Sequence, residues 1–213
     1  MALPFPSSRS LLEGEAGPIE IVAHQSEQLT ARAVAVVAHP HPLFGGTMDN
    51  KVVTTLARAF FDGGAATYRF NFRGVGASAG AHDEGRGETA DMLQVIAHAQ
   101  RTHPGLPLWL SGFSFGGAVT LAASEQVACS EMVLVAPAFS RLAHWANVQT
   151  GGNPPDTAII IHGENDETVP LAASLDWARP RNIPVIVVPG ADHFFHQRLH
   201  IIKRLAMRLA TSA

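Results

Sequence analysis

Residues 106–123 read LPLWLSGFSFGGAVTLAA, and this stretch decides the fold. Leu106 to Gly112 is apolar and suits a buried strand, while Phe115 to Ser124 is made of small residues that suit a packed helix. Between them stands Gly112-Phe113-Ser114-Phe115-Gly116. A strand turning sharply into a helix pushes the central serine into strained dihedrals and exposes its oxygen. The flanking glycines let neighbouring chain approach without a clashing Cβ. The helix that follows aims its N-terminal N–H groups and the positive end of its dipole at the serine. Ser114 is therefore the candidate nucleophile, and the Phe115 N–H a candidate oxyanion donor.

Outward from this turn, β-type runs alternate with helical ones. Strands are expected at Ile19 to Ala23, Ala33 to Ala38, Ala65 to Phe72, Glu131 to Ala136, Thr157 to His162 and Ile183 to Val188, with a partner strand near Arg9 to Glu13. Helices are expected at Asp49 to Phe61, Glu88 to Arg101, Leu171 to Ala178 and from about His193 to Leu209. Such alternation predicts an α/β fold, a mostly parallel sheet with helices on both faces, in a single domain spanning 1–213. Only about 20 residues separate Ala136 from Thr157, too few for a lid domain.

Composition narrows the function classes. The 213 residues are 46% apolar and 15% charged, with 15 basic against 18 acidic side chains and a net charge of -3. No basic field suggests nucleic acid or an anionic membrane as partner. The single cysteine, Cys129, excludes an internal disulfide and a cysteine-based zinc cluster. Neither a secretory h-region nor an apolar run long enough to span a bilayer is visible, so a cytoplasmic location is expected.

A serine nucleophile needs a base and a group to orient it, in chain order Ser, then Asp or Glu, then His. The apolar run ending at His162 leads into Gly163-Glu164-Asn165-Asp166-Glu167, and Asp166 is the expected carboxylate, with Glu164 and Glu167 as competitors. The last strand leads into Pro189-Gly190-Ala191-Asp192-His193-Phe194-Phe195, where His193 is the expected general base and Asp192 a cap for the final helix. A histidine base predicts a rate that falls in acid at roughly pH 6–7. In His39-Pro40-His41-Pro42-Leu43-Phe44 the prolines lack an N–H, leaving His41 and Leu43 as local donors for a second oxyanion contact, of which His41 is preferred. Leu43, Phe44, Phe194 and Phe195 fall in the site loops and are expected as apolar substrate walls, whereas Phe113 is expected to pack beneath them.

Gly74-x-Gly76-x-x-Ala79 lacks the helix and the acidic residue a dinucleotide site needs. His193, His196 and His200 share one face if the last helix starts early, but no carboxylate completes a metal site, and His39 with His41 is a weak metal pair. Arg73 is expected on a buried carboxylate, with a polar substrate group as the alternative. No cofactor or metal is expected.

Five segments, HPHPLFGGTMDNKV (39–52), NFRGVGAS (71–78), GFSFGG (112–117), GENDETVP (163–170) and PGADHFFH (189–196), together resemble the α/β-hydrolase superfamily. Within it they are similar to small lidless bacterial hydrolases related to dienelactone hydrolases and to acyl-peptide peptidase domains. The resemblance implies the same set, Ser114, Asp166 and His193. Two positions depart from the broad pattern: Pro40 replaces the usual glycine after the histidine, and Asn71 replaces the usual aspartate. The expected activity is hydrolysis of short- to medium-chain carboxylic esters, small molecules, through an acyl-enzyme on Ser114. A peptidase, an acyltransferase using the same residues, or a non-catalytic binding protein on this scaffold are the alternatives.

Overall fold

Ala33–Ala38 shows why the sheet is buried on both sides. Val34, Val36 and Ala38 pack into one apolar cluster, and Ala33, Ala35 and Val37 into the other. Alternate side chains of a strand point to opposite faces, so a run apolar at every position needs cover on each. The computed structural model describes residues 5–26, 28, 30–139 and 152–212, the side chains of 209–212 excepted. Residues 140–151, within the stretch too short for a lid, lie outside the described residues.

Eight strands form one sheet in the order β1-β2-β4-β3-β5-β6-β7-β8. They are β1 (Ser8–Gly14), β2 (Gly17–His24), β3 (Ala33–Ala38), β4 (Ala65–Phe70), β5 (Leu108–Phe113), β6 (Glu131–Val135), β7 (Ile159–Gly163) and β8 (Val185–Val188). The β1–β2 and β2–β4 pairs are antiparallel, and the others parallel. The expected mostly parallel sheet with helices on both faces is what forms. Helices α1 (Lys51–Asp62) and α5 (Leu199–Ser212) cover one face, and α2 (Arg86–Thr102) and α3 (Phe115–Ala123) the other, where α4 (Leu171–Ala178) joins them through Trp177 and Ala178. In α1 the pairs Val52/Val53, Leu56/Ala57 and Ala59/Phe60 recur every three to four residues and are all buried, and Asn50 caps the helix by accepting from the Val52 N–H at 2.8 Å. Every residue of α3 is buried, which only small residues permit so close to the sheet.

The largest departure from expectation is at the end of the chain. The final helix starts at Leu199 and not near His193. Phe195 and Gln197 take left-handed backbone angles, φ 53° and 60°, so residues 189–198 form successive turns and no helix. Asp192 accordingly caps a turn: its carboxylate accepts from the His196 N–H at 3.0 Å and pairs with the His196 ring at 2.5 Å. His193, His196 and His200 share no helical face, so that metal pattern dissolves.

Asn71 has a physical reason to depart from aspartate. Its Nδ2 donates to the Glu20 carboxylate at 2.6 Å while its Oδ1 accepts from the Met48 N–H at 2.9 Å. A carboxylate there would face Glu20, which also accepts from the Ala77 N–H. Arg73 is spent on structure: its Nε and Nη2 grip the buried Asp91 carboxylate at 3.0 and 2.8 Å.

Candidate active site

Parallel strands put their carboxyl ends on one edge, and ligands of open α/β sheets gather there. The loops after β3, β5, β7 and β8 all emerge at that edge, carrying His41, Ser114, Asp166 and His193. Ser114 lies between β5 and α3 with φ 56° and ψ −119°, a conformation that costs a non-glycine residue energy. It is held by main-chain bonds: its N–H donates to the Val135 carbonyl at 2.9 Å, and its own carbonyl accepts from Gly117 and Ala138, each at 3.0 Å. A Cβ at Gly116 would run into the carbonyls of Ala38 and His39, so the start of α3 lies directly against the end of β3. A Cβ at Gly112 would strike the Gly116 backbone in the same way.

The loops after β7 and β8 are stitched together. The Glu164 N–H donates to the Val188 carbonyl at 3.1 Å and the Asn165 N–H to the Ala191 carbonyl at 2.9 Å. The Glu164 side chain accepts from the Gly190 N–H at 2.8 Å, which turns that competitor away from His193. Glu167 is exposed. Asp166 is the carboxylate that meets the imidazole: His193 Nδ1–H donates to Asp166 Oδ2 at 2.7 Å, and the Ser114 hydroxyl donates to His193 Nε2 at 3.1 Å. All three residues are nearly buried, and Phe113 packs wholly buried against the His193 ring, 4.9 Å between centroids.

Burial works to raise the Asp166 carboxyl, but hydrogen bonds from His162, His193 and the Val169 N–H outweigh it and hold it well below the usual carboxylate range. Its Oδ1 accepts from the Thr168 and Val169 N–H groups at 2.9 and 2.8 Å, while Oδ2 serves His193.

A hollow of about 210 Å³ opens over Ser114, bounded by His41, Phe44, Asn50, Phe115, Thr168 and Phe194, with the Pro40 and Gly45-Gly46 backbone between them. Phe44 and Phe194 are exposed at its mouth. Two of the expected walls are elsewhere. Phe195 is fully buried in the cluster under α1 and α5, because its left-handed backbone turns the ring inward. Leu43 stands 70% exposed outside the lining. The Leu43 N–H is committed to His41 Nδ1 at 3.2 Å. The His41 ring packs 4.8 Å from those of Phe44, Phe115 and His82. Phe115 is the first residue of α3, where backbone N–H groups have no intrahelical acceptor. Asn50 and Thr168 are not singled out by the sequence. A polar residue in a loop after a strand was the available signal, and it is too common to single them out.

His39 is structural. Its Nδ1–H donates to the Pro40 carbonyl at 2.6 Å and its Nε2 accepts from the Phe72 N–H at 3.0 Å, which ties the β3 loop to the β4 loop. Among the described residues no group of three or more His, Cys, Asp or Glu side chains is placed to hold a metal ion. Burial pushes the His39 imidazole down from its ordinary 6.5 to about 4. As pH falls from 6.5 toward 4, the unfolded chain binds a proton that the folded one refuses. Stability is thus full above pH 6.5 and declines through that window, by up to about 3 kcal/mol from this residue. His24 is likewise lowered to about 4, mainly by burial, and acts in the same direction. The stabilising ionisation of Asp166 is lost only below the ordinary carboxylate value of 3.8, outside this window. Urea midpoints should be flat between about pH 7 and 8 and lower at pH 4.5; an undiminished midpoint at pH 4.5 would contradict the assignment.

The sheet order and the strained serine turn at its carboxyl edge define an α/β-hydrolase fold, with no lid domain among the described residues. A family model described as "Serine aminopeptidase, S33" matches residues 30–158, and the chain belongs to this family of serine α/β hydrolases. It is 30% identical over 174 residues to the uncharacterized protein RP471 of Rickettsia prowazekii, covering 78% of this chain and 73% of that protein. Among solved structures it is similar to an α/β serine hydrolase homologue from Coxiella burnetii, with 35% identity, coverage of 94% and 96%, and a TM-score of 0.86. It is also similar to XC6422 from Xanthomonas campestris, described as an α/β serine hydrolase without lid, with 32% identity, coverage of 100% and 97%, and a TM-score of 0.88. Among the described residues no helix is long and apolar enough to cross a membrane.

Proposed function

We propose that this chain is a carboxylesterase that cleaves short- to medium-chain carboxylic esters through an acyl-enzyme on Ser114. The observation that carries the reading is the relay of 3.1 Å from Ser114 Oγ to His193 Nε2 and 2.7 Å from His193 Nδ1 to Asp166 Oδ2. In this mechanism Ser114 Oγ attacks the ester carbonyl while His193 takes its proton, and Asp166 holds the ring in the tautomer that leaves Nε2 basic. The N–H groups of Phe115 and His41 bind the oxyanion, a donor of this kind being worth roughly 3–4 kcal/mol of barrier. His193 then returns the proton to the leaving alcohol, and water, deprotonated by the same histidine, releases the acid.

The dimensions of the hollow support a small acyl group. At about 210 Å³, with Phe44, Phe115 and Phe194 as walls and Asn50 and Thr168 as uncharged polar groups, it suits a short apolar chain. On p-nitrophenyl acetate, butyrate, octanoate and palmitate, kcat/KM should peak at a short or medium chain and fall by more than roughly tenfold at palmitate. A second reading, an aminopeptidase, is favoured by the description of the matching family model. Cleavage of an aminoacyl p-nitroanilide with no hydrolysis of any of the four esters would decide for it.

A further inference from the structure

We propose that His162 is a positioning residue that locks the Asp166 carboxylate onto His193, so that the working unit is a Ser114–His193–Asp166–His162 chain. The inference rests on the reading of Ser114 as nucleophile. His162 is the penultimate residue of β7, fully buried, four residues before Asp166. Its Nε2 lies 2.9 Å from the Val169 carbonyl and 3.4 Å from Asp166 Oδ2. Both are acceptors, so Nε2 carries the proton. Its Nδ1 lies 2.9 Å from the buried Ser174 hydroxyl of α4, which donates to it and so fixes this tautomer. The ring reaches across the loop between β7 and α4, tying down its far end at Val169 while shouldering the oxygen that His193 uses.

Asp166 therefore meets one imidazole from each of two strands' ends, and two backbone N–H groups at its other oxygen. The remaining ionisable groups nearby are turned elsewhere: Glu164 to the Gly190 N–H, Asp192 to His196, and Glu167 to solvent. With His162 gone, Oδ2 loses a donor and keeps more of its charge against His193. The carboxylate also gains freedom to swing off the imidazole. The first effect moves the acid limb of the rate to higher pH, and the second lowers the rate itself.

The test uses the rate of labelling by an alkyl fluorophosphonate, in which Ser114 Oγ bonds to phosphorus, fluoride leaves and His193 takes the proton. This readout needs no particular substrate. His162→Leu should lose roughly 10- to 100-fold, as expected where a reacting group is misplaced by about 1 Å, with its acid limb at higher pH. His162→Gln, which keeps a donor near Nε2, should stay near wild type in both. Wild-type behaviour of His162→Leu, or equal losses in the two variants with no movement of the limb, would overturn the proposal. If His162→Leu does not fold, Ser174→Ala decides: it should show a smaller loss and a smaller displacement of the limb in the same direction, and an unmoved limb overturns the proposal. Failure of the underlying reading is separately visible, because wild type and Ser114→Ala would then label alike.

Discussion

Ser114→Ala is expected to lose about a million-fold in turnover, the scale seen when a serine nucleophile that acts as a unit with its base is removed. In the proposed mechanism the hydroxyl supplies the bond-forming electron pair, and among the described residues lining the hollow no other hydroxyl is paired with His193. The variant should fold normally, since Ser114 is held by its own N–H and carbonyl and its side chain contributes only the bond to His193. Alanine must still adopt φ 56°, so the strain remains while its use is gone. Ester hydrolysis and phosphonate labelling, with a urea melt alongside, check this. Equal rates in the two proteins would remove Ser114 from the mechanism.

Asp166→Asn is expected to lose roughly ten-thousand-fold, through the wrong tautomer of His193. The geometry dictates how. The oxygen bonded to the Thr168 and Val169 N–H groups must remain an oxygen, so the amide nitrogen falls where Oδ2 was. There it presents N–H groups to His193 Nδ1, which then has to accept, and the ring proton moves to Nε2 facing Ser114. A histidine that already holds a proton on that side is not a base. Glu164→Gln, by contrast, should change turnover little, because Glu164 is bonded to the Gly190 N–H. Measuring kcat for both variants separates the two acidic positions, and a large loss in Glu164→Gln alone would reverse the assignment.

Much of this arrangement was legible in the linear sequence because it depends on local pattern. An apolar strand, a serine between glycines and a small-residue helix define the turn at Ser114 by their order alone. Continuous apolar runs such as Ala33–Ala38 predict a sheet covered on both faces, and parallel strands put their following loops on one edge. Other features depend on which groups face each other across long sequence separations. Phe194 and Phe195 are indistinguishable by composition, yet one stands at the mouth and the other is core, because of one left-handed residue. The stretch after His193 has the spacing of a helix, but short turn bonds from the Phe195 N–H to the Asp192 carbonyl and from the Arg198 N–H to the Phe195 carbonyl hold it in turns until Leu199. His162 reads as one polar residue ending an apolar strand. Only the fold reveals that both its nitrogens are engaged and that one of them adjoins Asp166.

The stitching of the loops after β7 and β8 has a consequence for redesign. Two of its three bonds run from main chain to main chain, so they do not depend on which side chains those loops carry. The spacing of Asp166 and His193 is thereby insulated from the identity of nearby surface residues. Phe44, Thr168 and Phe194 line the mouth without supplying any of the three bonds, so a library varied at these positions alters what enters while leaving the chemical machinery in register. The scaffold thus separates the residues that choose a substrate from those that hold the Ser114–His193–Asp166 relay.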